Sequence, residues 1–155
     1  MVVLRDRINI EQATLKIIEK ICSSKLNDNI KKSFRARTRD LISDLYSSGV
    51  AYVISLCAAR SSADAVELGL TALNPENFIG IFEDENMAKK YGLNEDEDYG
   101  YAIYGSSILY LLKLMGIINF RKLSDAIMGL SEDILANRMA FETGVWLKRF
   151  AEAYL

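Results

Sequence analysis

Residues 31–59 constrain the fold most, because an amphipathic pattern there leads into a run that is apolar almost throughout. In the first part, apolar side chains recur at the spacing of one face of an α-helix, at Ile30, Phe34, Leu41 and Leu45. Residues 47–49 (SSG) interrupt this pattern, because serine and glycine are poor helix formers. From residue 50 to residue 59 the chain reads as a helix buried on all sides. These features predict a cationic helix lying on a central apolar one.

The remaining strong periodicities are helical as well. Asn9 is a predicted N-cap of a first helix, and residues 101–115 are a predicted core helix. On the last helix, an inward-facing stripe is predicted at Leu135, Met139, Trp146 and Phe150. Residues 78–82 (FIGIF) have the composition of a strand, but no second such run exists to pair with them. The sequence therefore predicts an all-α fold, a single compact bundle of six or seven helices, with residues 1–155 as a single helical domain.

The composition excludes several kinds of chemistry. The chain has no histidine, which removes the usual general base and the commonest metal ligand. Cys22 and Cys57 lie far apart without metal-binding spacing, which is typical of reduced thiols in a cytoplasmic protein. An EF-hand loop starting at Asp96 would need glutamate at its twelfth position, where Ser107 stands. We therefore expect no catalytic residues, no metal, no cofactor and no enzymatic activity.

Charge is distributed unevenly along the chain, although the net charge is only −2. Five cations, with no acid before Asp40, occupy the basic helix at Lys31, Lys32, Arg35, Arg37 and Arg39. Arginine pairs bidentately with phosphate, so this helix is a candidate for binding a nucleic-acid backbone without reading bases. The simpler interpretation is a solvated helix face. Residues 93–100 are predicted to form an exposed acidic loop, and the apolar run 101–118 is too interrupted for a membrane span.

Two segments resemble a known family, the small subunit of type III-B CRISPR RNA-guided effector complexes. Residues 37–42 (RTRDLI) and 48–50 (SGV), followed by an apolar helix, resemble the second and third helices of that subunit. Residues 141–153 (FETGVWLKRFAEA) resemble its last helix. The resemblance covers about a third of the chain, and Asp40 stands where the family usually has proline. Both a divergent member of the family and the small subunit of a related type III complex fit these residues.

The resemblance implies a non-catalytic, all-helical antiviral-defence protein that stacks head to tail with further copies of itself. Its other partners would be the remaining effector subunits and the backbones of guide RNA and target RNA, with no membrane involved. It adds Lys148 and Arg149 to the five cations of the basic helix as nucleic-acid-binding candidates. An alternative from a different class is a helical protein–protein adaptor. In that case the basic helix would dock an acidic partner and would not bind nucleic acid.

Overall fold

A computed structural model describes residues 9–155, and in this part of the chain it is entirely helical, without strands. The ten helical segments are α1 Ile10–Ser23, α2 Asp28–Asp40, α3 Ile42–Ser47, α4 Val50–Arg60, α5 Ala63–Thr71, α6 Glu76–Glu83, α7 Glu85–Lys90, α8 Asp96–Leu114, α9 Leu123–Leu130 and α10 Ile134–Tyr154. The all-α prediction is confirmed, whereas the predicted number of six or seven helices is too low. The difference arises because short helices end at caps such as Asp84 and because Leu41 separates α2 from α3.

Helix α8 is at the centre of the fold, with α2, α4, α5 and α10 packed around it. Its residues from Tyr99 to Leu112 are buried except Tyr101, which is partly exposed. Small side chains let its neighbours approach closely. Ser33 of α2 lies against Gly100, and Gly69 of α5 lies against the backbone of Ser106. The central element is therefore α8 and not the apolar run of residues 50–59.

Helix α4 is buried on one side only. Val50, Val53, Ile54 and Cys57 face the core, whereas Tyr52 is 50% exposed. The prediction that residues 50–59 are buried on all sides is therefore wrong. The preceding break is confirmed, since Gly49 connects α3 to α4 with a φ of 90°, a conformation that glycine adopts without strain.

Two other segments differ from the sequence-based prediction. Residues 78–82, which the sequence left without a partner strand, lie within α6, where Phe78, Ile79 and Phe82 enter the core. The predicted acidic loop at residues 93–100 is in large part the beginning of α8. The side chains of Glu95 and Asp98 form a reciprocal capping box there. Acidic groups are favourable at this end of a helix because the backbone dipole is positive there.

The apolar stripe predicted on α10 is not the face that enters the core, although Met139 and Phe150 pack against the core while partly exposed. The residues that do enter it are mostly small: Ala136, Ala140, Thr143, Gly144, Leu147 and Ala151. Leu135 is exposed, while Met139, Trp146 and Phe150 are only partly buried. Small side chains allow α10 to lie close to α2 and α3, as shown by Gly144 against Leu45 and Ile42. The larger apolar side chains are consequently left on the flank and on the outside.

Candidate nucleic-acid interface

Helix α2 carries the predicted basic residues, and its apolar side fixes which of them reach solvent. Asn27 caps the helix by accepting a hydrogen bond from the Ile30 amide at 2.8 Å. Ile30, Phe34 and Thr38 are buried one turn apart, and the ring centroid of Phe34 lies 6.4 Å from that of Tyr104 in α8. The rest of the surface of α2 therefore faces either solvent or a neighbouring helix. Each of the five cations lies on one of these two kinds of surface.

Lys31 is used to hold two helices together. Its Nζ donates hydrogen bonds to the carbonyl oxygens of Cys22 at 3.0 Å and Ser24 at 3.4 Å. These carbonyls belong to the end of α1, where helix carbonyls lack partners and attract positive charge. Lys31 is therefore partly committed to the fold, and it is the less available of the two adjacent lysines.

Arg37 is also engaged within the chain. Its two terminal nitrogens lie 3.2 Å from Glu97 and 3.1 Å from Asp40, and its guanidinium lies 4.6 Å from the centre of the Tyr101 ring. The side chain is only 13% exposed. Both terminal nitrogens of Arg37 already bind carboxylates, so few hydrogen-bond donors remain for a phosphate. This geometry favours a structural role for Arg37.

The other three cations of α2 face solvent together. Lys32, Arg35 and Arg39 follow one another at spacings of three and four residues, which places them on one side of the helix. Lys32 and Arg39 are exposed and Arg35 is partly buried. Among the described residues, no carboxylate lies within 4.0 Å of any of the three. All five ion pairs in this part of the chain involve other cations. We call these three residues the α2 basic face.

Lys148 and Arg149 leave α10 in different directions. Lys148 follows Gly144 by one helical turn, and Gly144 contacts α3, so Lys148 lies on the side of α10 that faces α2 and α3. Arg149 is exposed about 100° further round the helix, where its guanidinium lies 5.4 Å from the centre of the Trp146 ring. Lys148 therefore lies on the side of α10 that is nearer to α2, whereas Arg149 belongs to another surface.

The strongly shifted pKa values belong to the core rather than to this surface. Burial raises the pKa of the Cys57 thiol to about 12, against a smaller opposing influence of the Arg37 charge. Burial also raises the pKa of Tyr104 well above its ordinary value, and the nearby Cys57 adds to the effect. Both groups are fully buried, so these shifts reflect lost hydration.

Sequence reasoning found the cations but could not separate free from engaged ones, because Glu97 is distant in the chain. It also missed that α10 has an exposed side, which carries Ile134, Leu135, Arg138 and Glu142. The signal for that side was present in the small residues spaced along the buried face, which mark close helix packing. Within residues 9–155, no three potential metal-binding side chains cluster, and no helix is long and apolar enough to cross a membrane. No family model, curated protein or solved structure matches the chain.

Proposed function

We propose that this protein is a non-catalytic small subunit of a type III CRISPR effector complex and binds RNA backbone through the α2 basic face. One observation supports the binding most: Lys32, Arg35 and Arg39 share one face of a well-packed helix without an acid within 4.0 Å in residues 9–155. A cationic surface that the fold leaves unneutralised is suited to a polyanion. The assignment to the CRISPR complex comes from the resemblance of residues 37–42, 48–50 and 141–153.

The chemistry of the face favours phosphates over bases. Two of its three residues are arginines, whose planar guanidinium groups bind phosphate oxygens bidentately. The aromatic residue of α2, Phe34, is fully buried, so this helix offers no ring for stacking on a base. Lys32 and Arg39 are seven positions apart, about 10 Å along the helix axis. The expected ligand is therefore a short length of RNA backbone, bound without sequence preference.

A single copy of this face binds weakly. Three phosphate contacts predict a slope of roughly −2 for log affinity against log salt on single-stranded RNA, and somewhat steeper on a duplex. In an effector complex, several copies along one guide–target duplex would raise the effective concentration of each site for the next. Useful affinity then depends on assembly.

The test compares two triple variants that remove the same amount of positive charge. The first changes Lys32, Arg35 and Arg39 to glutamate, and the second changes the exposed Lys16, Lys25 and Lys90 to glutamate. We expect the first to abolish the salt-dependent binding of an RNA of scrambled sequence. The second should bind with an affinity much closer to that of the unmodified protein. Circular dichroism melting would establish that both remain folded.

Equal losses in the two variants would show a general charge effect and contradict a specific face. If the unmodified protein bound poly-glutamate but not RNA, the adaptor alternative would replace RNA binding. The assignment to a CRISPR complex has a separate test, because the protein purified from its native source should bring down effector subunits and small guide RNAs. Their absence would leave an RNA-binding helical protein of another kind.

A further inference from the structure

The outer side of α10 carries a strip of residues that the fold of residues 9–155 leaves uncovered. The exposed members are Ile134, Leu135, Arg138, Glu142, Arg149 and Glu152, with the partly buried Val145 and Trp146 between them. We call this the α10 outer strip. It faces away from the small residues through which α10 packs on the rest of the protein. We propose that a second copy of this chain binds here, with the two α10 helices antiparallel across a two-fold axis.

The order of charges along the strip is the main argument. In an antiparallel pair of identical helices, the two-fold axis passes close to one residue position. A residue a given number of positions before that point faces the residue of the other copy that lies the same number of positions after it. The midpoint between Arg138 and Glu152 is residue 145, and the midpoint between Glu142 and Arg149 lies between residues 145 and 146. Both pairs therefore share one axis to within half a residue, about 0.75 Å along the helix. A single antiparallel arrangement places every arginine opposite a glutamate.

Among residues 9–155, none of these four charges has an ion-pair partner within its own copy. Arg138 and Glu142 are four residues apart, and Arg149 and Glu152 are three apart, spacings at which partners on one helix can meet. Neither pair comes within 4.0 Å, and the five ion pairs of the described residues involve other side chains. Arg149 lies against Trp146 instead. The four charges therefore remain available to a second helix.

Apolar side chains occupy the centre and the ends of the same strip. Val145 and Trp146 lie at the proposed axis, where each copy would place them against the other. At the ends, Leu135 would lie against the last turn of α10 of the second copy. The burial of this end would cover Ile134 and Leu135, which are 86% and 58% exposed in the single chain. Apolar contacts at the axis with charged pairs on either side are typical of antiparallel helix interfaces.

The proposed contact is weak and limited to two copies. It uses one helix of 21 residues from each copy, so it falls in the range of small, transient interfaces. A two-fold contact uses the same surface on both partners and cannot be extended. It is thus distinct from head-to-tail stacking and does not depend on RNA binding. In this pair Arg149 contacts protein, whereas Lys148 lies on the other side of α10, nearer to α2.

Sedimentation equilibrium of charge-reversal variants tests the proposal. Glu142→Arg places two arginines together and Arg149→Glu places two glutamates together, so each should weaken dimer formation at least tenfold. The double variant exchanges the charges and should restore dimerisation to near its original strength. Glu19→Arg on the exposed side of α1 makes the same charge change elsewhere and should leave dimerisation unchanged. High salt should weaken the dimer of the unmodified protein.

A cross-link tests the position of the axis. In a Cys22→Ser background, Val145→Cys should form a disulfide between identical residues of two copies when treated with oxidised glutathione. Glu19→Cys in the same background should not. The proposal is overturned by a protein that remains monomeric at millimolar concentration, by assembly beyond two copies through this strip, or by charge reversals that the double variant does not rescue.

Discussion

Arg37 at the end of α2 and Glu97 in the first turn of α8 are 60 residues apart in sequence, yet their side chains lie 3.2 Å apart. Asp40 binds the other terminal nitrogen of the same arginine, and the Tyr101 ring lies beneath the guanidinium. The contact fixes the end of α2 to the beginning of the central helix. Because Arg37 is bound in this way, its positive charge is paired on the side of α2 that contacts α8.

We expect Arg37→Ala to lower the free energy of unfolding by about 1–2 kcal/mol. The partners are largely exposed, so the ion pair alone is worth little, and most of the loss comes from the packing of the arginine on Tyr101. Arg37→Lys should recover only part of it, since lysine cannot bind both acids in the same plane. Lys32→Ala is the control and should change stability by less than ~0.5 kcal/mol. Urea denaturation measures all three.

Two glycine substitutions should shift stability in opposite directions. A Cβ atom at Gly100 would lie 2.8 Å from the carbonyl carbon of Ser33, so Gly100→Ala should separate α2 from α8 and cost about 1–3 kcal/mol. A Cβ atom at Gly80 in α6 meets nothing within 4 Å, and Gly80→Ala should stabilise the protein by ~0.5–1 kcal/mol. Thermal melting distinguishes them. Equal effects would show that α2 does not approach α8 closely at Gly100.

The two cysteines should differ in reactivity. Cys22 is exposed, whereas Cys57 is fully buried with a pKa of about 12. Only the thiolate reacts with thiol reagents, so one thiol per chain should be modified quickly near pH 8, and a second only in denaturant. Rapid modification of both in the folded protein would mean that α4 opens readily. Cys22→Ser should remove the fast reaction and leave only the thiol that reacts in denaturant.

Stability should fall in alkaline solution. The ordinary pKa of the Cys57 thiol is 9.0, and in the fold it rises to about 12. Because this pKa is raised in the fold, the free energy of unfolding is unchanged below pH 9. It decreases between pH 9 and 12, where the unfolded chain releases a proton that the folded one keeps. The loss approaches ~1.4 kcal/mol per pH unit. Tyr104 adds a similar loss above pH 10, its ordinary pKa. Cys57→Ala should make the dependence on pH shallower in chemical denaturation.

Tyr104→Phe should be neutral or stabilising by about 1 kcal/mol. The Tyr104 hydroxyl is buried and has no hydrogen-bond partner among the described residues, so its removal gives up no bond and avoids the cost of dehydration. The ring contact with Phe34 would remain. A loss above 1 kcal/mol would instead indicate that the hydroxyl makes a hydrogen bond in solution. In either case, the alkaline loss of stability due to Tyr104 should be absent from the variant.

Local patterns predicted much of the fold, but packing partners decided the rest. Asn9 caps α1 as predicted, accepting hydrogen bonds from the amides of Glu11 and Gln12. The stripe of α2 and α3 is buried at all four predicted positions. On α10, large apolar residues suggested the wrong face, because the inner face is chosen by how closely helices approach and therefore by small residues. Small residues spaced along a helix are the local sign of that preference, but the stripe of larger apolar residues indicated another face.

The candidate site was predictable only as a set of charges. Sequence spacing placed Lys32, Arg35 and Arg39 together because they belong to one helix. The engagement of Lys31 with α1 and of Arg37 with Glu97 depends on tertiary contacts. The direction of Arg149 depended on which face of α10 is buried, which the apolar stripe misassigned.

The position of α8 in the chain has a consequence for how the protein is made. Helices α2, α4 and α5 emerge from the ribosome before the helix on which they pack. Until residues 96–114 have been synthesised, their apolar sides have no permanent cover, and folding cannot proceed helix by helix from the N-terminus. During this interval the nascent chain is most exposed to aggregation and proteolysis. A chaperone that shields apolar helices would have its greatest effect then.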